Sequence, residues 1–352
     1  RQRVDVKPSP AGSFLGAFIN HSGVDTFYCQ SQNSDDYDDF VSRVTRADHE
    51  GRECTHVALG DVSRFTDAPV LRIKDGDPGP LFWRRRTVGQ RSYSVVSEFS
   101  DVGTSNTHDI LTALTTAPAQ PWDALVFPTK TIKHAAEALI ARQSEYLLSR
   151  TGAVISFPGL KYVIPSGINT QNYADTTQSQ NDRIAVRRRL GIGDDDLCVL
   201  TTGTFAFYAR AHPTPLYLAL EAATRRTGVR IHLLQAGWFE NEQMERAYRD
   251  AVRDFAPGVN AVFLDGREPE VRDRVWYAAD VYAAFHDTIS HGLDSEMLEA
   301  MAAGLPIVAA DWGSNGDIVK SSQHGFVIPT WLPLPESGGD LTLAPENCLE
   351  PA

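Results

Sequence analysis

Cysteine is scarce in this chain of 352 residues: Cys29, Cys54, Cys198 and Cys348 are all there is. None forms a Cys-x-x-Cys pair or a metal pattern, so neither a disulfide framework nor a thiolate metal site is implied. Long hydrophobic runs are missing as well. None approaches the roughly 18–20 apolar residues that span a bilayer. No basic segment leads into an apolar one as a secretory signal would. A reducing, cytoplasmic setting is expected. Arg1 stands where a Met would open a full chain, so an earlier segment is expected to be missing. Positive charge is in deficit, with 33 Lys and Arg against 45 Asp and Glu and a net charge of −12. A nucleic-acid partner needs concentrated basic surface and is not expected. An anionic small ligand remains open, because a few Arg residues and helix N-termini bind phosphate locally.

What is present suits a packed globular protein: 42% apolar and 22% charged residues. The length exceeds one ordinary core and predicts two domains. The second half alternates regularly. Strands are expected at Val199 to Gly203, Arg230 to Gly237, Asn260 to Leu264, Val281 to Phe285 and Pro306 to Asp311. Helices are expected between them at Pro213 to Gly228, Asn241 to Phe255, Glu270 to Ala279 and Ser295 to Ala303, the last closed by Gly304. Such alternation implies βαβ units on a parallel sheet, with ligands at the carboxyl ends of the strands.

The first half is less regular. Phe14 to Tyr28 reads as a helix and a strand. Further strands are expected at Thr55 to Leu59, Val70 to Ile73, Tyr93 to Phe99 and Ala124 to Phe127, with helices at Thr107 to Thr115 and Ile132 to Leu148. The turn-rich Val163 to Asn169 and the polar Asp175 to Asp182 place the junction. This gives a first domain over 1–165, a linker over 166–182 and a second domain over 183–352. From Pro333 onward the chain is rich in Pro, Gly and acids, and the second domain is expected to lack its final segment.

One stretch carries most of the chemistry. Glu299-Ala300-Met301-Ala302-Ala303-Gly304-Leu305-Pro306-Ile307-Val308 resembles the donor-binding motif of family 4 glycosyltransferases. Val262-Phe263-Leu264-Asp265-Gly266 and Tyr277-Ala278-Ala279-Asp280-Val281 resemble the elements leading into it. Ile164-Pro165-Ser166-Gly167-Ile168-Asn169 is similar to that family's interdomain element. Arg187-Arg188-Arg189-Leu190-Gly191-Ile192 is similar to its entry into the second domain, and Gln120-Pro121-Trp122-Asp123-Ala124-Leu125 to part of its first. The likeness covers roughly residues 85 to 330.

The resemblance implies the α/β class and the GT-B fold, two Rossmann-like domains facing each other across a cleft, with the acceptor on the first. It implies transfer, with retention, of a sugar from a nucleotide diphosphate sugar to an acceptor hydroxyl, in glycan biosynthesis. The donor is a substrate, and neither a cofactor nor a metal is implied. Glu299 would accept the ribose hydroxyls, Arg210 would hold the diphosphate, and Gly203 and Thr204 would border it. Gly292, Leu293, Asp294 and Ser295 would offer backbone donors at a helix N-terminus, and His291 would sit by the sugar.

The chain also departs from the family pattern. Thr204 stands where an Arg is usual, and Arg210 where a Lys is usual. His291 replaces the first Glu of a pair separated by seven residues, and neither Asp294 nor Glu296 restores that register. In the first domain the family's His falls on Ser100 without gaps, or on His108 with one. Two functions are therefore carried forward: an active transferase with a reworked site, or a catalytically silent homologue that binds a nucleotide, a glycan or a protein partner. A Rossmann dehydrogenase would show Gly-x-Gly-x-x-Gly after its first strand, and none is present.

Overall fold

The computed structural model describes residues 14–48, 51–61, 63–173, 177–206, 211–286 and 295–330. The chain divides into two compact units, residues 1–169 and 170–352.

The first unit runs α1 (Phe14–His21), β1 (Thr26–Ser31), α2 (Ser34–Ala47), β2 (Glu53–Ala58), β3 (Val70–Lys74), α3 (Gly79–Val88), β4 (Ser94–Glu98), α4 (Ser105–Ala113), β5 (Ala124–Phe127), α5 (Lys130–Thr151) and β6 (Leu160–Val163). Strands β1 and β2 pair in parallel, and β3-β4-β5-β6 form a second parallel sheet in sequence order. Side-chain caps start the helices: the hydroxyl of Thr104 accepts from the Thr107 amide (3.2 Å) and that of Thr129 from the Ile132 amide (3.2 Å).

The core of this unit gathers Phe82, Val95, Phe99, Leu111, Leu125, Phe127 and Ile132. Into it the chain inserts an ion pair. Arg85 and Asp123 are both fully buried, joined by bonds of 2.5 and 2.7 Å. Asp123 also accepts from the amides of Val95 (2.9 Å) and Gln120 (2.7 Å), and Arg85 donates to the Tyr93 carbonyl (3.0 Å). One carboxylate thus ties α3 to the start of β4 and to the turn before β5.

The second unit runs α6 (Thr177–Leu190), β7 (Leu197–Phe205), α7 (Thr214–Thr227), β8 (Ile231–Phe239), α8 (Glu242–Phe255), β9 (Asn260–Asp265), α9 (Pro269–Ala278), β10 (Val281–Ala284), α10 (Ser295–Ala302), β11 (Ile307–Asp311), α11 (Asn315–Ile318) and β12 (Gly325–Pro329), after a short 3₁₀ turn at Thr170–Tyr173. The sheet order is β12-β11-β10-β7-β8-β9, all parallel. Alternate residues of each strand face opposite sides. Cys198, Leu200, Leu234 and Ala236 pack with α6, α9 and α10, and Val199, Leu233 and Phe205 with α7 and α8. Helices therefore cover both faces, the Rossmann-like arrangement. Burial pushes the Cys198 thiol up to about 12.

The expected strands and helices of this half are all present and parallel. The alternation did not reveal β12, α3 or β6. The polar stretch at 175–182 carries the first turns of α6. No helix among the described residues is long and apolar enough to cross a membrane.

Two ion-pair clusters support two predictions. Removing one partner of a buried pair strands the other charge, at a cost of roughly 3–5 kcal/mol. Asp123→Ala should therefore lower unfolding free energy by about that amount in urea titration, and a loss below about 1 kcal/mol would mean that the pair is dispensable. In the second unit, Asp280 accepts from Arg183 (2.6 Å), Arg187 (3.1 Å) and the Cys198 amide (2.8 Å). Burial alone would raise its carboxyl, but these donors hold it below the usual carboxylate range. A lowered carboxyl stabilises the fold above its unfolded pKa of about 3.9, and that contribution fades as pH falls through the native value. Asp280→Asn should lower Tm at pH 7, and the gap from the parent chain should narrow below about pH 4. A gap that stays constant from pH 7 to pH 3 would contradict this.

Candidate nucleotide-sugar site

In the sheet of the second unit the chain moves outward from β7 through β8 to β9, then returns to lay β10 on the other side of β7. That reversal makes the carboxyl ends of β7 and β10 the switch point, where open α/β sheets bind ligands. The segments that follow these two strands hold most of the residues proposed from sequence. Of those, Arg210, His291, Gly292, Leu293 and Asp294 lie outside the described residues. Gly203, Thr204, Ser295 and Glu299 lie within them.

Gly203 is buried near the end of β7, with φ of +125°. Its carbonyl oxygen stands 1.8 Å from the point where a side chain on Gly237 of β8 would begin. A larger residue at 237 would drive the strands apart. The Gly266 amide, just past β9, donates to the Gly237 carbonyl (2.9 Å). Gly203 and Gly237 thus pack backbone against backbone just before β7 and β8 close on Phe205 and Phe239.

Thr204 pairs with Trp238 and is half-buried on the sheet face that also carries Cys198 and Leu200. Its hydroxyl brings a donor but no charge. The next residue, Phe205, turns to the opposite face and packs with Phe239, Tyr248 and Phe263, at ring separations of 5.1, 5.6 and 6.1 Å. The Tyr248 hydroxyl donates to the Ala211 carbonyl (3.3 Å), anchoring the chain as it leaves the segment that contains Arg210.

Ser295 opens α10 and is exposed, its hydroxyl donating to Glu296 (3.2 Å). Met297 and Ala300 bury the inner side of α10 in the core. Glu299 is half-buried, and the Tyr173 ring packs against the core that Met297 and Ala300 of the same helix join. Burial, followed by the Glu299 carboxylate, holds the Tyr173 phenol well above its ordinary range, so it is a neutral donor at physiological pH.

Sequence reading passed over Tyr173, His286 and Trp312. Tyr173 precedes Glu299 by most of the second unit, so no local pattern links the two. His286 is buried just after β10. A histidine closing an apolar strand beside the switch point was the available signal. Trp312 follows β11, and its indole N–H is buried without a partner among the described residues. Most buried donors are satisfied, so this one is an exception.

In the first unit, Ser100 follows β4. Its amide and hydroxyl both donate to Asp75 (2.6 and 2.8 Å), which adopts φ of +50° after β3. His108 lies on α4 and donates through Nε2 to the Val102 carbonyl (2.7 Å). Between them, burial raises the Asp101 carboxyl above its ordinary range, with Asp75 adding to the effect. Among the described residues no group of three or more His, Cys, Asp or Glu side chains is placed to hold a metal.

Comparison with known proteins follows this geometry. Residues 199–333 match the family described as glycosyl transferases group 1. The chain is similar to D-inositol 3-phosphate glycosyltransferases. It is 27% identical over 158 residues to that of Rhodococcus erythropolis, covering 44% of this chain and 35% of the relative. It is 29% identical over 150 residues to that of Mycobacteroides abscessus, covering 42% and 32%. The match thus spans about a third of the length of these curated relatives. Among solved structures, the chain resembles Anabaena HepE in complex with UDP, with a TM-score of 0.58, 14% identity and coverage of 89% and 80%. It also resembles a glycosyltransferase from Rickettsia africae, with a TM-score of 0.59, 9% identity and coverage of 89% and 78%. The fold is GT-B, built of two Rossmann-like units, and the family match lies on the unit that carries Glu299.

Proposed function

We propose that this chain is a family 4 glycosyltransferase that moves a sugar from a nucleotide diphosphate sugar to an acceptor hydroxyl with retention. The observation that carries the reading is the half-buried Glu299 carboxylate on α10, in the segment that follows β10 at the switch point. A carboxylate there accepts two vicinal ribose hydroxyls, since its two oxygens offer about four lone-pair sites. That HepE has been seen with UDP supports a nucleotide donor on this fold.

In the reaction, the bond between the anomeric carbon and the diphosphate oxygen breaks and a bond to the acceptor oxygen forms. The acceptor's proton passes to the departing diphosphate. Negative charge grows on that diphosphate, so fixed positive groups and N–H donors lower the barrier. Arg210 is assigned this role, with the backbone of Gly292 to Ser295 at the start of α10 beside it. His291 is assigned to the sugar.

A second reading is a silent homologue that binds a nucleotide or a protein partner without transfer. Thr204 favours it, because a neutral hydroxyl stands at the end of β7 where the family has a cation. His291 favours it too, because it removes a carboxylate from the sugar's surroundings. Contacts made only in the transition state act directly on turnover, and losses within one site do not add simply.

Arg210→Ala should weaken nucleoside diphosphate binding by roughly 1.5–3 kcal/mol, the worth of charged hydrogen bonds. Unchanged affinity in calorimetric titration would remove Arg210 from the site. Donor hydrolysis and transfer with UDP- and GDP-sugars separate the two readings. The parent chain is expected to show low turnover, and Thr204→Arg combined with His291→Glu should raise donor affinity and hydrolysis. Robust transfer by the parent chain would end the silent reading, whereas failure of the double variant to bind any donor would count against the transferase.

A further inference from the structure

We infer that the outer face of α3 and the turn before β5 form a docking patch for an anionic membrane surface, built from Trp83, Arg86, Arg91 and Trp122. The patch lies wholly within the first unit and does not depend on the donor reading above.

The sequence sets this stretch apart. In a chain of net charge −12, no Asp or Glu occurs between Asp77 and Glu98, whereas Arg84, Arg85, Arg86 and Arg91 all fall there. Helix α3 buries Phe82 and Arg85. Its period places Trp83 and Arg86 on the outer side, and Trp83 is 54% exposed. Arg86 and Arg91 are exposed as well.

The buried Arg85–Asp123 pair joins two parts of this surface. Arg86 follows Arg85 and Trp122 precedes Asp123, so the bond that closes the core (2.5 Å) also holds Trp122 close to the end of α3. There the Arg91 guanidinium lies 6.0 Å from the centre of the Trp122 ring, as that of Arg86 lies 5.3 Å from the Trp83 ring. Trp122 is 37% exposed. With Pro69, Ser92, Tyr93 and Ser94, Arg91 and Trp122 line a cavity of about 450 Å³, a volume within the range of small-ligand sites. Elsewhere in the unit Arg72 and Arg85 are neutralised by Glu98 and Asp123. Among the described residues Arg86 and Arg91 meet no carboxylate, and their contacts are the two indole rings.

This chemistry fits a lipid headgroup layer. An indole is an apolar plate with one N–H, and it settles at the boundary between acyl chains and headgroups. An arginine beside it offers a fork of donors matched to phosphate. Two such pairs, tied through one buried ion pair, supply both parts of interfacial binding: apolar insertion and attraction to anionic lipid. A nucleic-acid duplex needs a longer basic track, and the acid excess of the chain opposes it. The same excess repels an anionic surface from other parts of the chain, so the acid-free stretch is where such a surface is met.

The test is flotation of the full chain with vesicles of phosphatidylcholine alone and of equal parts phosphatidylcholine and phosphatidylglycerol. The parent chain should float with the anionic vesicles and not with the neutral ones. Raising salt from about 0.1 M to about 1 M shortens the screening length from roughly 10 to 3 Å and should release it. One cation near an anionic leaflet is worth roughly fivefold in binding. Arg86→Glu combined with Arg91→Glu should therefore lower the partition coefficient by at least about tenfold. Trp83→Ala should lower it roughly tenfold, the value of burying one large apolar side chain. Tm should stay within about 2 °C in each variant, because exposed positions carry little stability. Binding that survives either variant unchanged, or that is equal on neutral vesicles, overturns the inference. So does a parent chain that floats with neither vesicle, which would leave the patch to a soluble partner.

Discussion

The Asp280 carboxylate is the constraint on which the second unit depends. It sits where the chain has crossed back over the sheet and must start β10 beside β7. Its oxygens accept from Arg183 and Arg187 of α6 and from the amide of Cys198, while its own amide donates to the Cys198 carbonyl (2.8 Å). Arg187 extends the cluster to the carbonyls of Ala278, Gly193 and Asp196. One acid thus fixes the entry to β10, the start of β7 and the helix that covers both. The switch point exists because β10 lies on that side of β7, so the ligand edge is set by a charge cluster at the opposite end of the strands. Such a cluster is directional in a way that apolar packing is not. A slip of β10 by one residue would leave two guanidinium groups without their carboxylate.

The same device recurs in the first unit with full burial. Arg85 and Asp123 join α3, β4 and the turn before β5 inside a core otherwise made of Phe, Leu, Val and Ile. A buried pair of this kind is not in itself a source of large net stability. Its bonds to the Val95 and Gln120 amides and the Tyr93 carbonyl do specify how the elements meet. In each unit a carboxylate fixes where the strands begin, and the apolar faces then fill in around it.

These clusters also explain which elements the sequence disclosed. Strands β7 to β11 are short apolar runs separated by amphipathic helices, and their faces are buried by Leu, Val, Ala and Tyr, so periodicity finds them. Helix α6 meets the sheet through Arg183 and Arg187, with Val186 and Leu190 as its apolar share, and by composition it reads as a polar linker. Helix α3 carries Arg85 at a core position, which breaks the apolar stripe. Strand β12 is five residues bounded by Gly325 and Pro329, too short to stand out. The site was legible in the same uneven way. Glu299 belongs to a contiguous motif that the sequence displays, whereas Tyr173, distant in sequence, joins the core beside α10 only through the fold.

The site's altered positions lie on particular parts of this scaffold. Gly203, Gly237 and Gly266 let neighbouring backbone pack closely, and position 237 tolerates almost nothing else, since the Gly203 carbonyl fills the space where its side chain would begin. Thr204 is the neighbour of Gly203, yet its side chain leaves the sheet on the other face and supports no packed contact comparable to that of Phe205. A cation could therefore be exchanged for a hydroxyl at 204 without disturbing the aromatic group on the far side. In the proposed reading, nucleotide binding draws on Glu299 of α10 and transfer on Thr204 of β7, which the fold holds on separate elements. Exchange at 204 then alters the proposed chemistry without touching the helix that carries Glu299.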